Sequence, residues 1–235
     1  MKIKPILVVA GEPNSVFLEL YFKSLKKYNY KSPLLLICSK NELKNKMKKF
    51  KFKKKIKILN PDKMNDQKLN NKFINLININ FNQKKTFEKI SKKSNKFIED
   101  SFDVAIKILK KKKIHKFING PISKKNFLDK KYLGITEYIS NNFLQKNICM
   151  LIYNKKLSVA PITTHLPLKF VSKNINHKKI ANKIKLIQKF YLDRLKIKPK
   201  IGILGLNPHC ESISNFNEDE KILKPIIKKM KIKGY

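Results

Sequence analysis

The chain has four histidines, and two of them share a setting. His165 stands in "APITTHLPL" (160–168) and His209 in "LGLNPHCES" (204–212), each just past an apolar run and next to or near a proline. Neutral imidazole is the commonest metal ligand near pH 7. Two strand-end histidines 44 positions apart therefore form a candidate donor pair that only the fold can assemble. The competing reading is that each histidine caps its own strand through hydrogen bonds. His115 and His177 lie among lysines and are assigned to the surface.

Three further loops carry residue types suited to chemistry. "NGPISK" (119–124) has the character of an anion-handling loop: Gly120 permits close backbone approach, and Lys124 supplies a point charge. "GITEYIS" (134–140) combines a glycine, a hydroxyl and a carboxylate, and its bland reading is a helix start capped by Thr136. "GEPNS" (11–15) follows an apolar run but is not a GxGxxG fingerprint, and the chain has no Walker A sequence. A glycine-rich Rossmann nucleotide site is therefore not supported by motif.

These loops need elements to hold them. "PILVVA" (5–10) reads as a strand. It leads through "GEPNS" into an amphipathic helix, with Val16, Leu20 and Leu25 on one face. "SPLLLIC" (32–38) reads as a buried strand and "KFINLININ" (72–80) as another; the rest of 40–85 is Lys- and Asn-rich and carries no clear period. Residues 84–113 give the clearest helical signal, with Ile98, Phe102, Ala105 and Leu109 spaced 4, 3 and 4. Strands are expected at 112–118, 148–153, 157–164 and 200–206. A helix is marked by Ile180, Ile184, Ile187 and Tyr191, and Glu218, Asp219 and Glu220 stand where a helix N-terminus favours acids. Strands alternating with helices imply an α/β fold with a largely parallel sheet. Sites in such folds lie beyond the carboxyl ends of strands, which makes the strand-end loops "GEPNS", "NGPISK", "TTHLPL" and "NPHC" candidates for one crevice.

Composition narrows the class. The chain has 235 residues and 42% hydrophobic content, enough for a real core, and no stretch approaches the ~20 apolar residues of a membrane span. The opening "MKIKPILVVAGEP" runs into a Gly-Pro turn rather than a cleavage site, so a cytoplasmic protein is expected. The formal charge is +39, yet Arg194 is the single arginine among 55 basic residues. Arginine is the usual choice for bidentate phosphate and base recognition. Lys, Asn and Ile swell together, as A- and T-rich coding produces, so a lysine-rich nucleic-acid-binding protein without catalysis is the weaker reading. No specific nucleic acid and no membrane partner is expected. Cys38, Cys149 and Cys210 are odd in number and widely spaced, which fits reduced thiols.

Taken in order, "GEP", "NGPISK", "GITEY", "TTHLPL" and "GLNPH" resemble the 4-hydroxythreonine-4-phosphate dehydrogenase family of pyridoxal phosphate biosynthesis, across essentially the whole chain. The resemblance implies a three-layer α/β/α fold like that of isocitrate and isopropylmalate dehydrogenases, in two lobes with a mostly parallel sheet. The lobes are expected at 1–128 and 129–235, the second carrying the histidines. It implies NAD(P)-dependent oxidation and decarboxylation of 4-phosphooxy-L-threonine to 3-amino-2-oxopropyl phosphate. NAD or NADP serves as cofactor, with a divalent metal (zinc, magnesium or cobalt), in a homodimer whose active site lies at the interface. His165 and His209 are metal ligands by resemblance. The family's "GHTE" motif binds substrate; here it reads "GITE", so Thr136 is retained and Ile135 stands in place of the histidine. Lys124 is assigned to neutralising anionic substrate or cofactor groups. The family's glycine-rich continuation after "NPH" is replaced by "CESISNFNEDE". Its C-terminal stretch, with a third ligand histidine and phosphate-holding residues, has no counterpart before Tyr235, so a C-terminally incomplete second lobe is expected. Ile135 keeps open a related enzyme for another phosphorylated hydroxy acid, such as phospho-erythronate.

Overall fold

A computed structural model describes residues 3–62, 69–111, 114–129, 131–132, 134–143, 147–211 and 216–235. The elements are β1 (Ile6–Val9), α1 (Phe17–Lys27), β2 (Leu34–Cys38), α2 (Lys40–Lys49), β3 (Ile56–Ile58), β4 (Ile74–Asn78), α3 (Asn95–Lys110), β5 (Phe117–Asn119), α4 (Ile135–Asn142), α5 (His177–Phe190) and α6 (Lys224–Ile232). The chain divides into two compact units, Met1–Tyr138 and Ile139–Tyr235.

The first unit is a five-stranded parallel sheet in the order β3-β4-β2-β1-β5. Its strands β1 and β2 are short, unbroken apolar runs, Ile-Leu-Val-Val and Leu-Leu-Leu-Ile-Cys, as strands covered on both faces require. Leu35, Leu36 and Ile37 are wholly inaccessible. One face carries Val8, Leu34, Leu36, Ile74 and Leu76, packed under Leu18, Tyr21 and Phe22 of α1 and Leu43 of α2. Helix α3 packs over β1 and β2 on the other face, burying Phe97, Ile98, Phe102 and Ala105. Helices on both faces of a parallel sheet give the α/β/α fold expected from the alternation of elements.

Several local expectations are corrected. The buried face of α1 is Leu18, Tyr21 and Phe22, whereas Val16 and Leu20 are 57% and 55% exposed. Tyr21 and Phe22 decide the side, because two aromatic rings bury more area than two aliphatic side chains. The helix within 84–113 begins only at Asn95, after a single turn at Lys92–Ser94, and positions 112–113 lie outside the described residues. The lysine-rich region without a clear period contains α2, started by a serine N-cap: Ser39 Oγ accepts from the Glu42 amide at 3.4 Å and donates to the Phe81 carbonyl at 2.8 Å.

In the second unit α5, α6 and the residues just before them form a small core of Ile175, Ile180, Ile184, Leu223, Ile226 and Met230. Helix α5 starts where Asn176 Oδ1 accepts from the Lys179 amide at 3.0 Å. The strands expected at 148–153, 157–164 and 200–206 are not ladder strands among the described residues; one antiparallel bridge joins Ile152 to Val159. An apolar run creates strand propensity, but a strand exists only with a hydrogen-bonded neighbour. Ile152 and Leu204 accordingly stand 62% and 88% exposed. No described helix is long and apolar enough to cross a membrane.

One lysine departs from the solvated majority. Lys46 is buried beside Glu42, Nζ to Oε2 3.7 Å, donates to the Pro13 carbonyl, and lies 4.6 Å from the Phe87 ring centre. Burial pushes the Lys46 ammonium toward its neutral form and the Glu42 carboxyl toward protonation, each opposed by the other's charge. Lys46→Ala would strand a buried carboxylate and is expected to cost about 3–5 kcal/mol by urea unfolding, with Lys46→Met/Glu42→Gln recovering most of it. A Lys46→Ala protein as stable as the parent would show that the pair contributes nothing.

Candidate active site

The strand order places the carboxyl ends of β1 and β5 at a topological switch point. From β1 the sheet continues to β2 on one side and to β5 on the other, and the crevice beyond such a reversal is where open α/β sheets bind ligands. The loops that leave these two strands are "GEPNS" and "NGPISK", and they cross in contact. The Glu12 amide donates to the Pro121 carbonyl at 2.8 Å and the Gly120 amide to the Val9 carbonyl at 2.7 Å. A Cβ at Gly120 would stand 2.0 Å from the Ala10 carbonyl oxygen. One at Gly11, whose φ is +73°, would stand 2.4 Å from that of Pro121. Both positions thus require glycine.

Glu12 ties this crossing to α3. Its carboxylate is buried, accepting from the Asn14 amide at 3.0 Å and from Ser94 Oγ at 2.7 Å, just before the helix begins. In the sequence the only signal for Glu12 is a carboxylate held between Gly11 and Pro13, and no role follows from that alone. Lys124 is exposed and opens the helical turn Lys124–Leu128, which Ser123 caps through the Asn126 amide at 3.2 Å. Ile135 and Thr136 open α4, so Thr136 lies in the first turn rather than at the cap. Both segments pack around one aromatic cluster, with Phe127 5.4 Å from Tyr138 and Phe102 5.5 Å from Tyr138. Burial, with the nearby charges of Asp103 and Glu99, pushes the Tyr138 phenol up to about 12.

The histidine loops belong to the second unit. His165 and His209 are both exposed, both have positive φ (56° and 54°), and neither makes a side-chain hydrogen bond to a described residue. Ile162 and Leu206, each three positions earlier, pack against the same core of α5 and α6. Left-handed backbone costs a non-glycine residue roughly 1–2 kcal/mol, and Cys210 shares it at φ 59°.

The His209 loop is held by Asp219, whose place in the sequence suggests only a helix-terminal charge. Its carboxylate accepts from the Leu206 amide at 2.9 Å, the Asn207 amide at 3.1 Å and the Asn207 side chain at 3.0 Å. Burial alone would raise its proton affinity; these hydrogen bonds outweigh burial and hold the carboxyl below the usual range.

Two exposed imidazole nitrogens are a partial donor set suited to a divalent cation that takes its other ligands elsewhere. Among the described residues no three His, Cys, Asp or Glu side chains gather as a metal cage. A cavity of about 490 Å³ between Lys40, Lys44, Met47, Lys54, Ile56 and Ile58 contains none of these site residues. The crossed loops and the histidine loops are what the chemistry points to, because the cavity offers only solvated lysines over an apolar floor.

A family model described as pyridoxal phosphate biosynthetic protein PdxA matches residues 29–235. A 4-hydroxythreonine-4-phosphate dehydrogenase from Sulfurihydrogenibium sp. (strain YO3AOP1) is 31% identical over 97% of this chain and 71% of its own length. One from Wigglesworthia glossinidia brevipalpis is 27% identical over 98% of this chain and 70% of its own. The solved structure of a 4-hydroxythreonine-4-phosphate dehydrogenase from Klebsiella pneumoniae superposes with TM-score 0.81 at 22% identity, covering 98% of this chain and 73% of that one. The fold is therefore shared.

Two outcomes are expected from this geometry. Gly120→Ala forces a methyl into a carbonyl and should lower stability by at least about 1–3 kcal/mol in thermal melts; an unchanged melting temperature would show the crossing to be loose. The depressed Asp219 carboxyl favours the folded state fully above the ordinary Asp value of about 3.9. That contribution is lost as pH falls through the lower folded-state value. Stability of the parent should therefore decline more steeply below about pH 4 than that of Asp219→Asn; parallel acid-unfolding curves would remove Asp219 from the acid response.

Proposed function

Because the chain belongs to the pyridoxal phosphate biosynthetic protein PdxA family, we propose that it oxidises 4-phosphooxy-L-threonine with NAD or NADP. The product is a β-keto acid that loses carbon dioxide to give 3-amino-2-oxopropyl phosphate. The observation that carries this reading is a repeated local arrangement. Two imidazoles in left-handed backbone each stand three residues beyond a side chain seated on one core.

In the proposed site His165 and His209 present imidazole nitrogens to a divalent metal, zinc, magnesium or cobalt. When bound, such an ion lowers the pKa of a substrate hydroxyl and stabilises negative charge on oxygen during hydride loss and decarboxylation. Lys124, exposed at the start of its turn, neutralises anionic substrate or cofactor groups. Thr136, in the first turn of α4, offers a hydroxyl to substrate. Ile135 contributes shape alone, since its side chain neither donates a hydrogen bond nor carries charge. A homodimer with the site at its interface, in the cytoplasm, belongs to the same proposal. The abundant lysines bind polyanions only weakly and without sequence preference, an interaction that falls steeply with salt.

Ile135 favours a second reading, a dehydrogenase for a related phosphorylated hydroxy acid such as phospho-erythronate. Side-by-side assays of both substrates, following reduced nicotinamide by absorbance, decide between them. With 4-phosphooxy-L-threonine, His165→Ala and His209→Ala are each expected to abolish metal-dependent turnover while leaving the fold intact by circular dichroism. Full turnover by His209→Ala after exhaustive chelation would overturn the metal assignment.

A further inference from the structure

The loop "LGLNPHC" is braced on both sides of its histidine by residues that precede α6. On the near side, the Asp219 carboxylate takes the Leu206 and Asn207 amides, and the Asn207 side-chain amide reaches Asp219 and, at 3.1 Å, Glu218. On the far side, Asn217 Nδ2 donates to the Cys210 carbonyl at 3.3 Å. Asn217 Oδ1 accepts from the Asp219 amide at 2.9 Å, fixing the backbone that carries the carboxylate. Gly205 leaves the room this needs: a Cβ there would stand 2.5 Å from Cys210 Sγ and 3.2 Å from Asp219 Oδ1.

Between these two anchors lie His209 (φ 54°, ψ 14°) and Cys210 (φ 59°), consecutive non-glycine residues in left-handed backbone. Such a conformation persists only where its surroundings over-determine it, and it concentrates at functional sites. Asp219 is nearly inaccessible, at 2% exposure, although the loop it holds is exposed. A buried carboxylate satisfied by backbone amides is a costly and specific device, since each charge-assisted hydrogen bond is stronger than a neutral one and directional. No other described carboxylate takes two backbone amides from either histidine loop.

We propose that Asp219 is the positioning residue of the His209 loop, its carboxylate gripping the Leu206 and Asn207 amides so that the imidazole is presented in the one backbone conformation that suits a divalent cation. This rests on His209 being a metal ligand, as proposed above. Outer partners that orient a ligand side chain typically change metal affinity by about 10- to 100-fold when removed.

The test uses the full chain and cobalt(II) as the probe. Cobalt affinity is measured by calorimetry, and amide hydrogen exchange is followed by mass spectrometry. In the parent, the Leu206 and Asn207 amides should be protected while the neighbouring exposed backbone exchanges freely; free exchange at both overturns the proposal without any variant. Asp219→Asn replaces an acceptor with an amide that turns a donor toward two donors. It should raise exchange across 205–210, leave α1 and α3 unchanged, and weaken cobalt binding about 10- to 100-fold, with Asp219→Glu restoring part of both. Asp219→Asn with loosened backbone but parental cobalt affinity overturns the positioning role. If instead His209→Ala binds cobalt like the parent, the metal reading itself fails, whatever Asp219 does.

Discussion

The fold turns on a clearance problem at the middle of a parallel sheet. β1 and β5 lie side by side, and the chain leaves both at the same end. Their exit loops must cross within van der Waals distance, and the crossing leaves no volume for a Cβ at Gly11 or Gly120. Everything proposed for the first unit follows from that contact. It fixes the backbone from which Lys124 departs, and it places Glu12 where Ser94 can anchor it to the start of α3. A parallel sheet supplies the position, and two glycines make the position reachable.

The second unit solves a different problem, that of holding an exposed loop still. His165 and His209 both have backbone dihedrals that ordinary side chains disfavour. For His209 the opposing force is visible in the Asp219 carboxylate and its amide donors. The hydrophobic contribution is small, since the core beneath consists of four isoleucines, one leucine and one methionine from two helices and the residues just before them. Directional hydrogen bonds to a buried charge therefore carry the precision that packing alone would supply in a larger core. Unpaired apolar segments such as the one around Leu204 fit the same picture of a unit with little sheet structure among the described residues.

The lysine excess is mostly a solvated surface, and the exception is instructive. Lys46 is buried because Glu42 and the Pro13 carbonyl lie within reach and an aromatic ring covers it. Lys44, Lys48 and Lys49 on the same helix stand in solvent, so nothing in the composition distinguishes it. Burial of a charge is a decision of the tertiary structure, enforced by the high cost of leaving it unpaired.

The order and type of the early elements were legible from residues alone, because short apolar runs and a 4-3-4 helical spacing are local properties. The five motifs were legible for the same reason, and with them the family. Local pattern stopped being informative where a partner was needed. The runs at 148–153 and 200–206 have strand character without a ladder, Val16 and Leu20 have helical spacing without a core to face, and α2 hid among lysines behind a serine N-cap. The sequence by itself determined which groups are available for chemistry: two imidazoles, a loop lysine, a threonine and an isoleucine. Only the tertiary structure decided which of them are held, by bringing Gly11 against Pro121 and Asp219 against Leu206 across gaps of many residues. Contacts between distant chain segments depend on packing and clearance, and no periodicity within one segment encodes them.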